Sequence, residues 1–252
     1  NRRILGPDGR VTATRYGICR NPKLIAEPEG VIDPLVRLVA FWNGGTPVAV
    51  LTYYASHPHS YYGKGGVNWE FVGIARESRE QALAGVPHIH FCGAGGNVGA
   101  GKYNDGSEEN RPVLARRLAE GMRLAWETQN KRPLNAAEVA WQVAPVTLPV
   151  CAPQSETEWL KVLADPARPE RERIEAARKA VFLRRMTEGP RIPVSCLWLG
   201  DARVVHMPGE LFVEYQLAAQ ALRPDGFVAL AAYGDYGPGY IGVDAAYAQG
   251  GY

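Results

Sequence analysis

His57 is the residue whose type and setting first suggest chemistry. In Tyr53-Tyr54-Ala55-Ser56-His57-Pro58-His59-Ser60 two imidazoles follow an apolar run over 47–52, where a strand would end. Histidine changes charge near neutral pH and is the commonest metal ligand. Pro58 fixes its own φ and pushes His57 into an extended conformation, aiming the ring along the strand axis. Taken alone, His57 is either a ligand or a hydrogen-bonded loop histidine. Glu210, in Met207-Pro208-Gly209-Glu210, also stands at a strand end and opens a helix, where a carboxylate is a cap, a dipole partner or a ligand. A third strand leads into Tyr233-Gly234-Asp235-Tyr236-Gly237-Pro238-Gly239-Tyr240-Ile241. Its tyrosines are core or surface filler, or phenols that ligate a metal or steady an oxyanion. Three strand ends would bring histidine, glutamate and tyrosine to one sheet edge, where an α/β fold places its site.

Gly96-Asn97-Val98-Gly99-Ala100-Gly101-Lys102 fits the G-x-x-x-x-G-K skeleton of a phosphate-binding loop. Position 103 departs from it, because Tyr103 stands where that loop needs a Ser or Thr hydroxyl. Asn104-Asp105-Gly106 is a turn signature, so no helix starts directly behind the lysine and no helix dipole is left to hold phosphate. The glycines either let backbone N–H groups approach a substrate or make a tight connection over a packed core. His88 and His90 alternate on one strand and read as a core pair rather than a second metal site. Residues 102–105 read as a polar turn, exposed or lining a pocket.

The elements that position these residues follow from periodicity and turn chemistry. Residues 35–42 and 48–54 flank Asn43-Gly44-Gly45 and predict a β-hairpin. Residues 70–84 carry apolar positions at helical spacing, with Glu70 in the first turn facing the macrodipole. A strand over 86–92 leads into the glycine loop. An amphipathic helix spans 112–128, a strand 137–150, and helices 156–164 and 169–188, the last with a charged, outward-facing start. A second hairpin pairs 193–199 with 203–207 around Gly200-Asp201, followed by a helix over 210–222 and a strand over 227–233. Residues 1–34 read as an irregular lead-in. The alternation predicts an α/β fold, a layered domain with a mixed β-sheet flanked by helices, as one domain over 1–252.

A chain of 252 residues with 46% hydrophobic content can bury a large core. Its net charge of +2, without blocks of like charge, points away from nucleic acid and anionic membranes. No apolar run approaches the roughly 20 residues of a membrane span. Cys19, Cys92, Cys151 and Cys196 form no C-x-x-C pair, which leaves neither a zinc knuckle nor a redox motif and no compartment assigned. The sequence begins at Asn1 without Met or a signal sequence and reads as a fragment or processed product.

Asn1-Arg2-Arg3, Ala55-Ser56-His57-Pro58, Asn68-Trp69-Glu70-Phe71-Val72-Gly73, Gly96-Asn97-Val98, Pro208-Gly209-Glu210 and Tyr240-Ile241 with Tyr247 and Tyr252 fall in the order seen in neutral/alkaline non-lysosomal ceramidases. The sequence resembles that family over essentially its whole length. The resemblance implies the family's catalytic α/β domain with one zinc, held here by His57, Glu210 and Tyr240. It implies that Tyr252 steadies the oxyanion and that Gly96, Asn97, Gly99 and Gly101 lie against the substrate, a small-molecule N-acyl amide. It also implies a secreted or periplasmic location.

Two departures stand out. The family's remaining zinc histidine, its acid/base histidine and a substrate-binding arginine fall upstream of Asn1. The family's loop serine and a following asparagine fall on Gly99 and Gly101, which removes two polar contacts to a lipid amide. The expectation is a zinc-dependent amide hydrolase whose present residues form part of the site. The alternatives are a catalytically silent ceramidase-like domain that binds a polar ligand, and a P-loop nucleotide-binding protein.

Overall fold

The computed structural model describes residues 1–64, 66–150, 155–189, 191–234 and 237–251. The lead-in is not irregular: β1 (Arg3–Leu5) pairs antiparallel with β2 (Val11–Thr14), and the short helix α1 (Pro22–Ala26) is capped by Asn21, whose side chain accepts from the Lys23 N–H. Arg15 ties this segment together, donating to the carbonyls of Asn1, Leu24, Glu27 and Pro28 at 2.6–3.1 Å. A fork of N–H donors can close several carbonyls at once, a long-range effect that local periodicity does not register.

β3 (Arg37–Asn43) and β4 (Thr46–Tyr54) form the predicted hairpin, with Gly44 at φ +57 in its turn. Helix α2 (Glu70–Ala82) then carries the chain across to β5 (His88–Cys92), which pairs parallel with β4. Helix α3 (Asn110–Glu127) packs with α2 through Phe71, Ala75, Leu114, Leu118 and Met122, and Val36 and Tyr54 join that cluster. Glu70 sits in the first turn of α2, but its carboxylate accepts from the Ser60 and Tyr61 N–H groups, each at 2.9 Å, and so clamps the loop behind His57.

β6 (Val139–Val146) is shorter than predicted. After α4 (Glu156–Ala164) and α5 (Glu170–Thr187) come β7 (Ile192–Leu199) and β8 (Ala202–Pro208), neighbours joined by Gly200-Asp201 as expected of the second hairpin. Glu210 does not open a helix. Gly209, at φ +64, turns the chain out of β8 into the two-residue strand β9 (Glu210–Leu211), and helix α6 (Val213–Ala221) starts beyond it. β10 (Val228–Gly234) pairs parallel with β8, β11 (Tyr240–Ile241) pairs parallel with β9, and α7 (Asp244–Gln249) closes the described chain.

The larger sheets run β3-β4-β5 and β10-β8-β7-β6, and each of the first two pairings quoted, β3/β4 and β4/β5, has a different sense, so the predicted mixed α/β architecture holds. Tyr53, Val204, Ala229 and Ala231 form one buried cluster drawn from both sheets, with Leu51 and Phe91 beside them. On β10 the alternate residues Leu230 and Ala232 turn the other way, onto a cluster with Tyr215 and Ala219 of α6. A strand covered on both faces explains why Val228-Ala229-Leu230-Ala231 is continuously apolar.

The chain groups into two compact units, Asn1–Gln142 with Cys196–Tyr252, and Val143–Ser195. The second holds α4 and α5, where Ala176, Ala180 and Leu183 are buried at helical spacing and Arg184 Nη2 reaches Glu156 at 2.6 Å. No helix among the described residues is long and apolar enough to cross a membrane.

Candidate functional site

Two parallel strands, β4 and β5, end side by side, and the connections leaving them interlock. His57 donates its N–H to the Val98 carbonyl at 3.1 Å, and Gly93 donates to the Tyr54 carbonyl at 2.8 Å. The glycine loop thereby passes directly beneath His57. It can do so only without side chains: a Cβ on Gly95 would lie 2.9 Å from the Ser56 carbonyl carbon, and one on Gly96 would lie 2.3 Å from the Glu210 oxygen. Gly96 N–H in turn donates to the Leu211 carbonyl at 2.7 Å, which fastens β9 to the loop.

His57 is 5% exposed. Its Nδ1 lies 2.6 Å from the Gly95 oxygen and 3.1 Å from the Val98 oxygen. Carbonyls only accept, so Nδ1 carries the hydrogen, and this fixes both the tautomer and the ring plane. In the neutral ring Nε2 is then a bare lone pair, and it faces the Glu210 Oε2 at 2.9 Å. Two acceptors so close must share a positive species, either a proton or a metal ion. The Glu210 carboxyl is held below its ordinary pKa, first by the hydrogen bond with His57 and further by one from Tyr240, against the opposing effect of burial.

Tyr240 reaches the same place by backbone pairing. Its Cα is the register partner of Glu210 in the β9–β11 ladder, and the Glu210 N–H donates to the Gly239 carbonyl at 2.7 Å. The phenol also accepts from Arg2 Nη2 at 3.2 Å, and the guanidinium lies 5.5 Å over the Tyr240 ring. Arg2 further donates to the Gly96 carbonyl. The structure therefore brings His57, Glu210 and Tyr240 together. Among the described residues, no group of three or more His, Cys, Asp or Glu side chains stands ready to hold a metal. The oxygen and nitrogen donors on hand are one imidazole, one carboxylate and one phenol, of which the imidazole and the carboxylate are ordinary zinc donors. Tyr252 lies outside the described residues.

The glycine-loop residues serve mainly as supports. Asn97 is fully buried, accepting at Oδ1 from the Val213 N–H at 2.8 Å and donating from Nδ2 to Glu214 at 2.8 Å. Gly101 abuts the Tyr16 carbonyl, where a Cβ would come within 1.9 Å. Gly99 is half-buried beside the Arg2 side chain. Lys102 donates to the Glu27 carbonyl at 2.6 Å and pairs with Glu29 at 3.1 Å, and a 3₁₀ turn over Ala100–Tyr103 replaces the helix a phosphate loop would need. An open cleft of about 370 Å³ lies against Cys19, Ile25, Lys102, Tyr103 and Asn104.

Three neighbours of the site were not picked out as members from sequence. Arg2 sits in the lead-in read as irregular. His59 lies with its ring 5.3 Å from that of His57, and burial, with the adjacent His57, holds its pKa low. Tyr233 presents its ring edge-on to His57 at 6.1 Å. The available signals were only the second imidazole of His57-Pro58-His59 and the tyrosine density behind β10. His88 and His90 stay apart from the site, with His88 Nδ1 at 3.0 Å from the Val86 carbonyl and His90 Nδ1 at 3.0 Å from Thr52 Oγ1.

No family model matches the sequence, and no curated protein matches it. Solved structures do match in fold. The neutral ceramidase from Pseudomonas aeruginosa superposes with a TM-score of 0.57 at 15% identity, over 88% of this chain and 42% of that one. A ceramidase complexed with C2 superposes with a TM-score of 0.58 at 12% identity, over 87% of this chain and 44% of that one. The chain thus has the fold of a portion of neutral ceramidase and spans less than half the length of the structures it matches.

Proposed function

We propose that the chain is a catalytic domain of a zinc-dependent hydrolase of the neutral ceramidase type, cleaving an N-acyl amide. The observation that carries this reading is the His57 Nε2 lone pair facing the Glu210 carboxylate at 2.9 Å with Tyr240 alongside. The ceramidase-like fold supports it.

His57, Glu210 and Tyr240 would hold the zinc. When bound, zinc supplies a Lewis acid toward the amide carbonyl and lowers the pKa of water to about 7. The chain's own residues prepare the site. The Gly95 and Val98 carbonyls keep the His57 ring aimed, the β9–β11 ladder sets Tyr240 beside Glu210, and Arg2 steadies the phenol. In the reaction the oxygen of water adds to the acyl carbon, the carbon–nitrogen bond breaks, and the amine nitrogen takes up a proton. The proposed part of Tyr252 is to donate a hydrogen bond to the oxyanion, and that of the loop glycines is to let the amide lie close. By family resemblance the proton donor and a further zinc histidine come from sequence upstream of Asn1.

The test is metal content in the full-length protein. His57→Ala and Glu210→Ala are each expected to lose zinc and amide hydrolysis together while remaining folded; full zinc occupancy in both variants rules the ligand set out. A second reading, a silent relative that binds a polar ligand, draws on the lack of a three-residue His/Cys/Asp/Glu group among the described residues. A wild-type full-length protein that takes up no zinc would favour it.

A further inference from the structure

Tyr233 is held in a backbone conformation that its side chain disfavours. Its φ is +62, in the left-handed region, where a bulky non-glycine residue is a strained outlier. Strain of this kind persists only when surrounding structure enforces it. Here the enforcing contacts are a register shift between Ala231 and Gly234 in the β10–β8 ladder and a 2.9 Å hydrogen bond from the Tyr233 N–H to the Gly209 carbonyl. Gly209 is the residue directly before Glu210.

The irregularity redirects the side chain. Strict alternation along β10 would send residue 233 the way of Ala229 and Ala231, into the cluster they form with Tyr53 and Val204. Instead the ring stands edge-on to His57, at 6.1 Å and 87°, and the residue stays 39% exposed. A phenol O–H is a competent donor, and the ring that carries this one stands against the His57 imidazole.

We propose that Tyr233 is a catalytic residue of this site, donating its phenol O–H as a second hydrogen bond, beside the one assigned to Tyr252, to the oxygen of the scissile N-acyl carbonyl as negative charge builds there. The assignment rests on the hydrolase reading above. It explains why a tyrosine, and not glycine or asparagine, occupies a left-handed position: the backbone strain aims a donor that a relaxed strand would bury.

The test uses full-length protein loaded with zinc, with Tyr233→Phe, which removes one oxygen and keeps the ring, and Tyr233→Gly, which relieves the backbone. Turnover of a short N-acyl amide, affinity for a phosphonamidate that mimics the tetrahedral oxyanion, zinc content and Tm are measured for each. Tyr233→Phe is expected to lower kcat about 10²-fold with KM little changed, to weaken phosphonamidate binding, and to leave zinc and Tm unaltered. Tyr233→Gly should be equally inactive at an equal or higher Tm, which separates a functional from a packing role. A Tyr233→Phe protein with kcat and phosphonamidate affinity within twofold of wild type overturns the assignment and leaves the hydrolase reading standing. A zinc-loaded wild type that turns over no N-acyl amide overturns both.

Discussion

The His57 ring is anchored at one nitrogen and committed at the other. Because the Gly95 and Val98 carbonyls take the Nδ1 hydrogen, rotating the ring to satisfy Nε2 differently would strand two buried acceptors. His90 shows the opposite situation, a half-buried imidazole with one hydroxyl for company. Burial, with a smaller push from Arg76, lowers its pKa from the ordinary 6.5 to about 4. Between those values the unfolded chain binds a proton that the folded chain refuses, so stability declines as pH falls from 6.5 toward 4. The contribution is up to roughly 3 kcal/mol, at 1.36 kcal/mol per unit. Chemical denaturation of wild type and His90→Gln at pH 7 and pH 4.5 checks it: the variant is expected to lose less stability on acidification. At this scale the sequence disclosed donor types well, since His57, Glu210 and Tyr240 each follow a recognisable strand. The bonds made by Arg2 and Asn97 escaped it, because they reach Tyr240 and Glu214, 238 and 117 positions away.

Glycine 96 is where the elements of the site meet. Its N–H holds Leu211, its carbonyl receives Arg2, and the space over its Cα is filled by β9. Gly96→Ala is expected to push β9 off the loop and destabilise by about 3 kcal/mol, measured by urea unfolding. The same variant should lose zinc, whereas Gly45→Ala, with open space at its Cβ, should do neither. The glycine-loop pattern was visible in sequence, but the reason for it was not: it accommodates neighbouring backbone, a three-dimensional coincidence no motif encodes. The same limit explains the misread start of α6. Helical periodicity continues smoothly back to Glu210, and only a partner strand 30 residues later draws Glu210 and Leu211 into a ladder. Hairpins and long helices, whose determinants are local, came through nearly intact.

Across the whole molecule, one buried cluster shared by two sheets places the ends of β4 and β5 near those of β8 and β10. Parallel neighbours point their carboxyl ends the same way, so the site gathers at one rim without any long excursion of the chain. A bound zinc would favour the folded state by mass action, about 2.7 kcal/mol at a hundredfold excess over Kd. Stripping metal from the full-length protein with a chelator is therefore expected to lower Tm by about 5–10 °C, with no such drop in His57→Ala. Calorimetry with and without chelator distinguishes these outcomes.

The two-residue ladder between β9 and β11 has a broader implication. It fixes how far apart Glu210 and Tyr240 sit through peptide N–H and carbonyl groups, which every non-proline residue supplies alike. A geometry written in the main chain is indifferent to most replacements around it. Core and surface can therefore change extensively while that spacing endures.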